Sequence, residues 1–88
     1  MYYTYVLISK RDNKFYVGFT NNLKKRIKEH NKGLVNSTRS RRFLKLVYCE
    51  ICLSKQDALK REKYFKTGFG RRFLHNRLEN YLKLSPDS

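Results

Sequence analysis

The stretch FYVGFTNNLKKRIKEH, Phe15 to His30, decides how the chain is read. It begins as a strand, because Phe15, Tyr16, Val17 and Phe19 favour a pleated surface. Thr20-Asn21-Asn22 then turns the chain and supplies a helix cap. A helix follows with Leu23 and Ile27 on one stripe, and Arg26 and His30 one turn apart beside them. A phenol from a strand and a guanidinium and an imidazole from the next helix thus converge on one corner.

Working outward, Tyr2 to Ile8 reads as a strand covered on both faces, because nearly every position is apolar or aromatic. Asp12-Asn13 suits a tight turn, so the first two strands, Tyr2 to Ile8 and Phe15 to Phe19, form a hairpin. A two-residue loop there predicts Tyr5 opposite Thr20 and Leu7 opposite Gly18. Tyr5, Tyr16, Gly18 and Thr20 then share a face, which a loop one residue longer would split. Gly18 weakens a strand, so something is expected to approach the backbone closely there.

The first helix is predicted from Asn22 to Lys32, with Gly33 as its left-handed end and Leu34 packing back. Glu29 sits near the unfavourable end for an anion and calls for a local cation. Leu34 to Arg42 has no periodicity, and its hydroxyls, amide and arginines suit phosphate contacts or a plain basic connector. Phe43 to Cys52 is a third strand, and Ser54-x-x-Asp57 predicts a capping box. The second helix runs from Lys55 to Thr67 with Ala58, Leu59, Phe65 and Phe69 inward. Glu62 interrupts that stripe. A partly buried carboxylate needs a cation, either a metal or an ion-pair partner such as Lys66. Gly68-Phe69-Gly70 reads as a turn. Arg71 to Leu82 reads as a third helix with Leu74, Leu78, Tyr81 and Leu82 inward.

These elements predict an α+β domain over residues 1–84: a three-stranded antiparallel sheet flanked by three helices, in the order β-β-α-β-α-α. Residues 85–88 are expected to fray. With 88 residues the chain makes one domain, of radius of gyration roughly 12 Å.

Twenty-one Lys and Arg against seven Asp and Glu give a net charge of +14. Such self-repulsion points to a polyanionic partner, nucleic acid before a membrane surface. No apolar run approaches a bilayer-spanning length. The first residues lack a basic leader and a small-residue cleavage site, so the expected location is the cytoplasm. Cys49 and Cys52 are then reduced. A zinc site would need two more ligands, so both are expected as buried small apolar residues.

If Tyr5, Tyr16, Arg26, His30 and Glu62 converge, they suit phosphodiester chemistry. Glu62 could hold one Mg²⁺ that keeps most of its waters. Arg26 could bind the non-bridging oxygens as their charge grows. His30 titrates nearest neutrality. Tyr5 as a base needs its phenol lowered from about 10 to about 7, roughly 4 kcal/mol of differential stabilisation. One carboxylate is too few for a two-metal site.

At these residues the chain resembles the GIY-YIG endonuclease domain, of the small stand-alone bacterial type. Tyr3-Thr4-Tyr5-Val6-Leu7 stands where that family has its first motif, without the motif's glycine and isoleucine. Tyr16-Val17-Gly18 stands for the second motif, with ten residues between Tyr5 and Tyr16. Thr20, Leu23, Arg26 and His30 match the helix that follows, and Lys60-Arg61-Glu62-Lys63 the later helix. Gly70-Arg71-Arg72-Phe73-Leu74 is typical of the small members.

The resemblance implies a DNA endonuclease using one divalent ion, Mg²⁺ or Mn²⁺, on Glu62. It implies Tyr5 as the base with His30 as its aid, Tyr16 orienting water or phosphate, and Arg26 stabilising the pentavalent state. Asn76 is the nearest match to an asparagine the family often carries after its glutamate helix. Thr20, Lys24, Arg39, Arg41, Arg42, Arg71, Arg72 and Asn76 are the expected nucleic-acid contacts, with DNA favoured over RNA. Related domains serve repair, homing and restriction, with separate domains that choose the target. The expectation here is recognition of structure, in repair or recombination, or a protein partner for targeting. The alternative class is a basic DNA- or RNA-binding protein on the same fold that does not cut.

Overall fold

The computed structural model describes residues 1–84; the expected tail, Ser85 to Ser88, lies outside the described residues. Three strands form one antiparallel sheet: β1 (Tyr2–Ser9), β2 (Phe15–Thr20) and β3 (Leu44–Cys52), in the order β2-β1-β3. The helices are α1 (Leu23–Asn31), α2 (Lys55–Phe65), α3 (Gly68–Arg77) and α4 (Glu79–Leu84), with a short 3-10 turn at Arg39–Arg41. The α+β class and the element order are those read from the sequence, and the radius of gyration is 12.7 Å.

Every residue of β1 from Thr4 to Ser9 is buried, because helices cover both faces of the sheet. On one face Val6 and Ile8 join Phe15, Val17, Phe65, Leu74 and Leu78 under α2 and α3. On the other, Tyr5 and Leu7 join Leu44, with Leu23 and Ile27 of α1 packed against them. Strand alternation therefore sends Tyr5 toward α1 and Val6 toward α2.

The hairpin register differs from the two-residue-loop expectation. Tyr5 pairs with Gly18, Tyr3 with Thr20 and Leu7 with Tyr16. The loop is longer by two residues on the β1 side. Ser9 Oγ accepts the Arg11 N–H at 3.1 Å, and the Ser9 N–H bonds to the Lys14 carbonyl at 3.0 Å. A slip of two preserves side-chain parity, so Tyr5, Tyr16, Gly18 and Thr20 still share a face. The group that closes on Gly18 is the Tyr5 ring itself: a Cβ there would run into Cζ and Oη of Tyr5.

The α1 ends match expectation. Asn22 caps the helix, its Oδ1 accepting from the Lys25 N–H at 3.2 Å. Gly33, at φ 80°, closes it: its N–H bonds to the His30 carbonyl, and the Leu34 N–H to that of Glu29. Leu34 itself does not pack back; it is exposed. The Ser54–Asp57 box does not form either, because the Ser54 side chain makes no cap hydrogen bond.

Gly68-Phe69-Gly70 is not a turn but the opening of α3. Thr67 caps it, its Oγ1 accepting from the Gly70 N–H at 3.1 Å. A Cβ on Gly70 would meet the backbone of Tyr64 and Phe65, so glycine is there to let α3 cross α2 closely. That crossing leaves Phe69 exposed and Leu59 at the surface, outside the expected inward stripe. The predicted third helix is interrupted at Leu78, which makes a fourth element of α4. The Leu78 N–H still reaches Leu74 and the Leu82 N–H reaches Leu78, so the axis continues past one non-helical residue. Cys49 and Cys52 are half-buried free thiols rather than core residues. No described helix is long and apolar enough to cross a membrane.

Candidate functional site

Tyr5 of β1 and the last turn of α1 meet beneath the loop that follows. Tyr5 Oη lies 2.8 Å from His30 Nε2, and both residues are fully buried. His30 Nδ1 lies 2.7 Å from Thr38 Oγ1, also buried. Tyr16, half-buried on the neighbouring strand, sets its ring edge-on to His30 with centroids 5.1 Å apart. Ser37 donates to Tyr16 Oη at 3.4 Å. The phenols and the imidazole expected to converge do so.

Arg26 stands beside this cluster at the cleft formed where β2 passes into α1. Its guanidinium donates to Glu29 at 3.1 Å, giving Glu29 the local cation its position calls for. The Arg26 charge also reaches Tyr5 and favours its phenolate. The adjoining cleft, about 520 Å³, is lined by Phe19, Thr20, Asn22, Lys25, Arg26 and Glu29 among others. Tyr5 and His30 do not line it; both are buried.

Burial governs the charge states. Desolvation pushes the Tyr5 phenol up to about 12, against the pull of Arg26. Desolvation, with Arg26 adding to it, pulls His30 down to about 4, so the imidazole is neutral at pH 7.

Glu62 lies on α2 with its side chain 23% exposed, and Lys66 one turn on donates to it at 3.2 Å. The ion pair weighed from spacing is therefore present. The Glu62 charge is also felt at Tyr5, raising the phenol further. Among the described residues no group of three or more His, Cys, Asp or Glu side chains gathers around a possible metal position. A lone, partly exposed carboxylate does fit a hard cation that retains most of its own waters.

The expected nucleic-acid contacts divide. Thr20 lines the Arg26 cleft, its hydroxyl bonded to the backbone of Asn22. Lys24 is exposed on α1 beside Lys25 and Lys28. Arg39 and Arg42 are exposed on the loop, near Arg11 and Phe43, around a cleft of about 410 Å³. Arg41 is instead a strap. It donates to the carbonyls of Lys14 and Phe15 and pairs with Asp12 at 3.3 Å, and its own carbonyl accepts from Ser9. Arg71, Arg72 and Asn76 are exposed on α3, across the sheet from α1, and do not join the Tyr5 cluster.

Two residues near the site escape a reading by pattern. Thr38 is one hydroxyl among several in an aperiodic loop, and only the fold shows it buried against His30. Asn31 grips the Leu44 backbone from α1, donating to its carbonyl at 3.0 Å and accepting its N–H at 2.8 Å. It thereby fixes α1 to the start of β3.

A family model of the GIY-YIG catalytic domain matches residues 1–77. With most of its length matched, the chain belongs to that family of nucleases, whose substrate class is nucleic acid. Among its relatives, the UPF0213 protein CPE1444 of Clostridium perfringens is 49% identical over 67 residues, covering 75% of this chain and 71% of that protein. The UPF0213 protein YazA of Bacillus subtilis is 38% identical over 63 residues, covering 70% and 64%. The solution NMR structure of the UPF0213 protein BH0048 from Bacillus halodurans is similar at a TM-score of 0.57 and 31% identity, over 97% of this chain and 98% of that one.

Proposed function

We propose that the protein is a divalent-metal-dependent DNA endonuclease, with Tyr5, Tyr16, Arg26, His30 and Glu62 as its working residues. The observation that carries this reading is the Tyr5 Oη to His30 Nε2 contact of 2.8 Å beside Arg26, in a chain of this family.

A phenol near 12 is ionised at neutral pH in only about one molecule in 10⁵, so Tyr5 does not act as a preformed phenolate. It acts as a relay. Once substrate draws Arg26 away from Glu29 and opens the buried phenol to the cleft, Tyr5 Oη takes a proton from the attacking water as its own proton passes to His30 Nε2. The resulting hydroxide attacks phosphorus in line with the departing 3′ oxygen, the P–O3′ bond breaks, and the 3′ oxygen takes a proton from solvent. Free His30 is a weak acceptor because burial and Arg26 oppose its cation. A phosphodiester seated on Arg26 brings a negative charge that offsets the guanidinium field and raises the imidazole toward neutrality. Substrate binding and base strength are thus coupled. Arg26 exchanges Glu29 for the non-bridging oxygens and strengthens its hold as their charge grows. Tyr16 orients the water or the phosphate.

Glu62 would hold the ion, Mg²⁺ or Mn²⁺, displacing Lys66 from the carboxylate. When bound, that ion supplies positive charge to the leaving oxygen. Lys24, Arg39 and Arg42 track the phosphate backbone. Arg71, Arg72 and Asn76 would meet only nucleic acid that wraps to the α3 side. Structure-selective cutting in repair or recombination, in the cytoplasm, or cutting directed by a protein partner, is the setting we assign to it.

The second reading is a basic binder on the same fold. The Glu62–Lys66 pair favours it, because that carboxylate already has a cation. A plasmid-nicking assay with Mg²⁺ separates the two, run on wild type, Glu62→Ala and Arg26→Ala. Nicking by wild type alone supports the nuclease. Equal nicking by all three removes the site, and no nicking by any leaves the binder.

A further inference from the structure

The donors and acceptors around His30 constrain one another. The proposed relay needs the Tyr5 hydrogen to point at His30 Nε2, 2.8 Å away. A neutral imidazole that accepts at Nε2 must carry its hydrogen at Nδ1. The atom facing Nδ1, at 2.7 Å, is Thr38 Oγ1. Thr38 is wholly buried, so water cannot stand in for its hydroxyl.

We infer that Thr38 is the positioning residue of the site: its hydroxyl accepts the Nδ1–H of His30 and so keeps the Nε2 lone pair on Tyr5. The inference rests on the proposed relay through Tyr5 and His30. In that relay the water proton moves to Tyr5 Oη and the Tyr5 proton moves to Nε2. The imidazolium that forms keeps its Nδ1–H on Thr38. Without the hydroxyl, a buried Nδ1–H has no partner, and the imidazole is better served by the Nε2–H tautomer. That tautomer offers Tyr5 a hydrogen instead of a lone pair, and the relay has no acceptor. Thr38 lies in the loop that carries Arg39 and Arg42, so one segment serves both the backbone contact and the proton path.

The test is ¹⁵N-detected NMR of His30 in the full chain, which needs no catalysis. The Nδ1–H tautomer is expected in wild type and Thr38→Ser, and the Nε2–H tautomer in Thr38→Val. Under Mg²⁺, Thr38→Val should lose kcat by about 10²-fold or more with little change in KM, as wrong-tautomer histidines do. Thr38→Ser should recover most of it. An Nε2–H tautomer in wild type overturns the inference, and that reading stands even if Thr38→Val does not fold. A flipped tautomer in Thr38→Val with unchanged kcat also overturns it. Tautomers as expected with no cutting by any chain keep the Thr38 assignment and remove the nuclease reading.

Discussion

Two consecutive residues of α2, Arg61 and Glu62, show what a charged side chain looks like when it is committed to the fold and when it is not. Arg61 donates to both oxygens of Glu50, at 2.7 and 2.9 Å, and Tyr48 donates to the same carboxylate at 2.9 Å. The guanidinium also lies over the rings of Phe65, Tyr64 and Phe73 at 4.6 to 5.1 Å. Both oxygens of Glu50 thus have donors, and Arg61 first and Tyr48 after it hold its carboxyl below the usual range. Glu62, the next residue along, has one flexible lysine at 3.2 Å. The bidentate, stacked pair is a structural clamp between β3 and α2. The single i,i+4 pair, of a kind worth only about 0.3–0.5 kcal/mol, is easily exchanged for another cation. The difference teaches that partial burial alone does not mark a working acid. What marks it is how little of its coordination the protein has already filled.

The largest expected effect falls on Glu62. Glu62→Gln should lower Mg²⁺-dependent cleavage by about 10²-fold or more, with the unfolding midpoint unchanged in urea titration. Glu50→Gln should do the opposite. It should cost about 1–2 kcal/mol of stability in the same titration, while cleavage per folded molecule stays at the wild-type rate. A loss of cleavage in Glu50→Gln without a loss of stability would reverse the assignment of the two acids.

The pH dependence of stability sharpens the same contrast. His30 has its folded value pulled down to about 4 from 6.5, so the unfolded chain binds the proton first as pH falls. Stability is full above 6.5 and declines toward pH 4, by about 3 kcal/mol. Glu50, depressed below 4.5, adds a second decline as pH falls further through its folded range. Denaturation midpoints measured across pH should show both limbs in wild type and in Glu62→Gln. Glu50→Gln should keep the first limb and lose the second. The smallest effect is expected from Lys66→Met. It should tighten Mn²⁺ binding by about two- to threefold, the value of a surface ion pair, and change stability by less than about 0.5 kcal/mol.

Much of this was legible in the sequence because the residues obey local rules. The apolar and aromatic runs in Tyr2–Ile8 and Phe15–Phe19, the Asn22 cap and Gly33 as the end of α1 are each set by neighbours within a few positions. The face shared by Tyr5, Tyr16 and Gly18 followed from parity, and parity outlasted a register error of two. What was missed depends on contacts between elements. Gly68-Phe69-Gly70 has turn composition, yet α2 lies so close that glycine is required inside a helix. Arg41 and Arg39 look alike in an aperiodic loop, but only Arg41 has the hairpin carbonyls and Asp12 within reach. Thr38 is indistinguishable from Ser37 until the loop folds over α1. Glu62 is singled out by its place on the inward stripe of α2, but nothing near Glu50 in its apolar strand shows that Arg61 closes on it.

The central claim is that Glu62 binds a divalent ion close to Tyr5. Titrating Mn²⁺ into the ¹⁵N-labelled chain tests it most directly, by the paramagnetic broadening of assigned amides. The account expects broadening centred on Glu62 that extends to Tyr5 and Gly18 and disappears in Glu62→Gln. Broadening centred elsewhere, at Asp12 or Glu79 for example, and unaltered by Glu62→Gln, would contradict it.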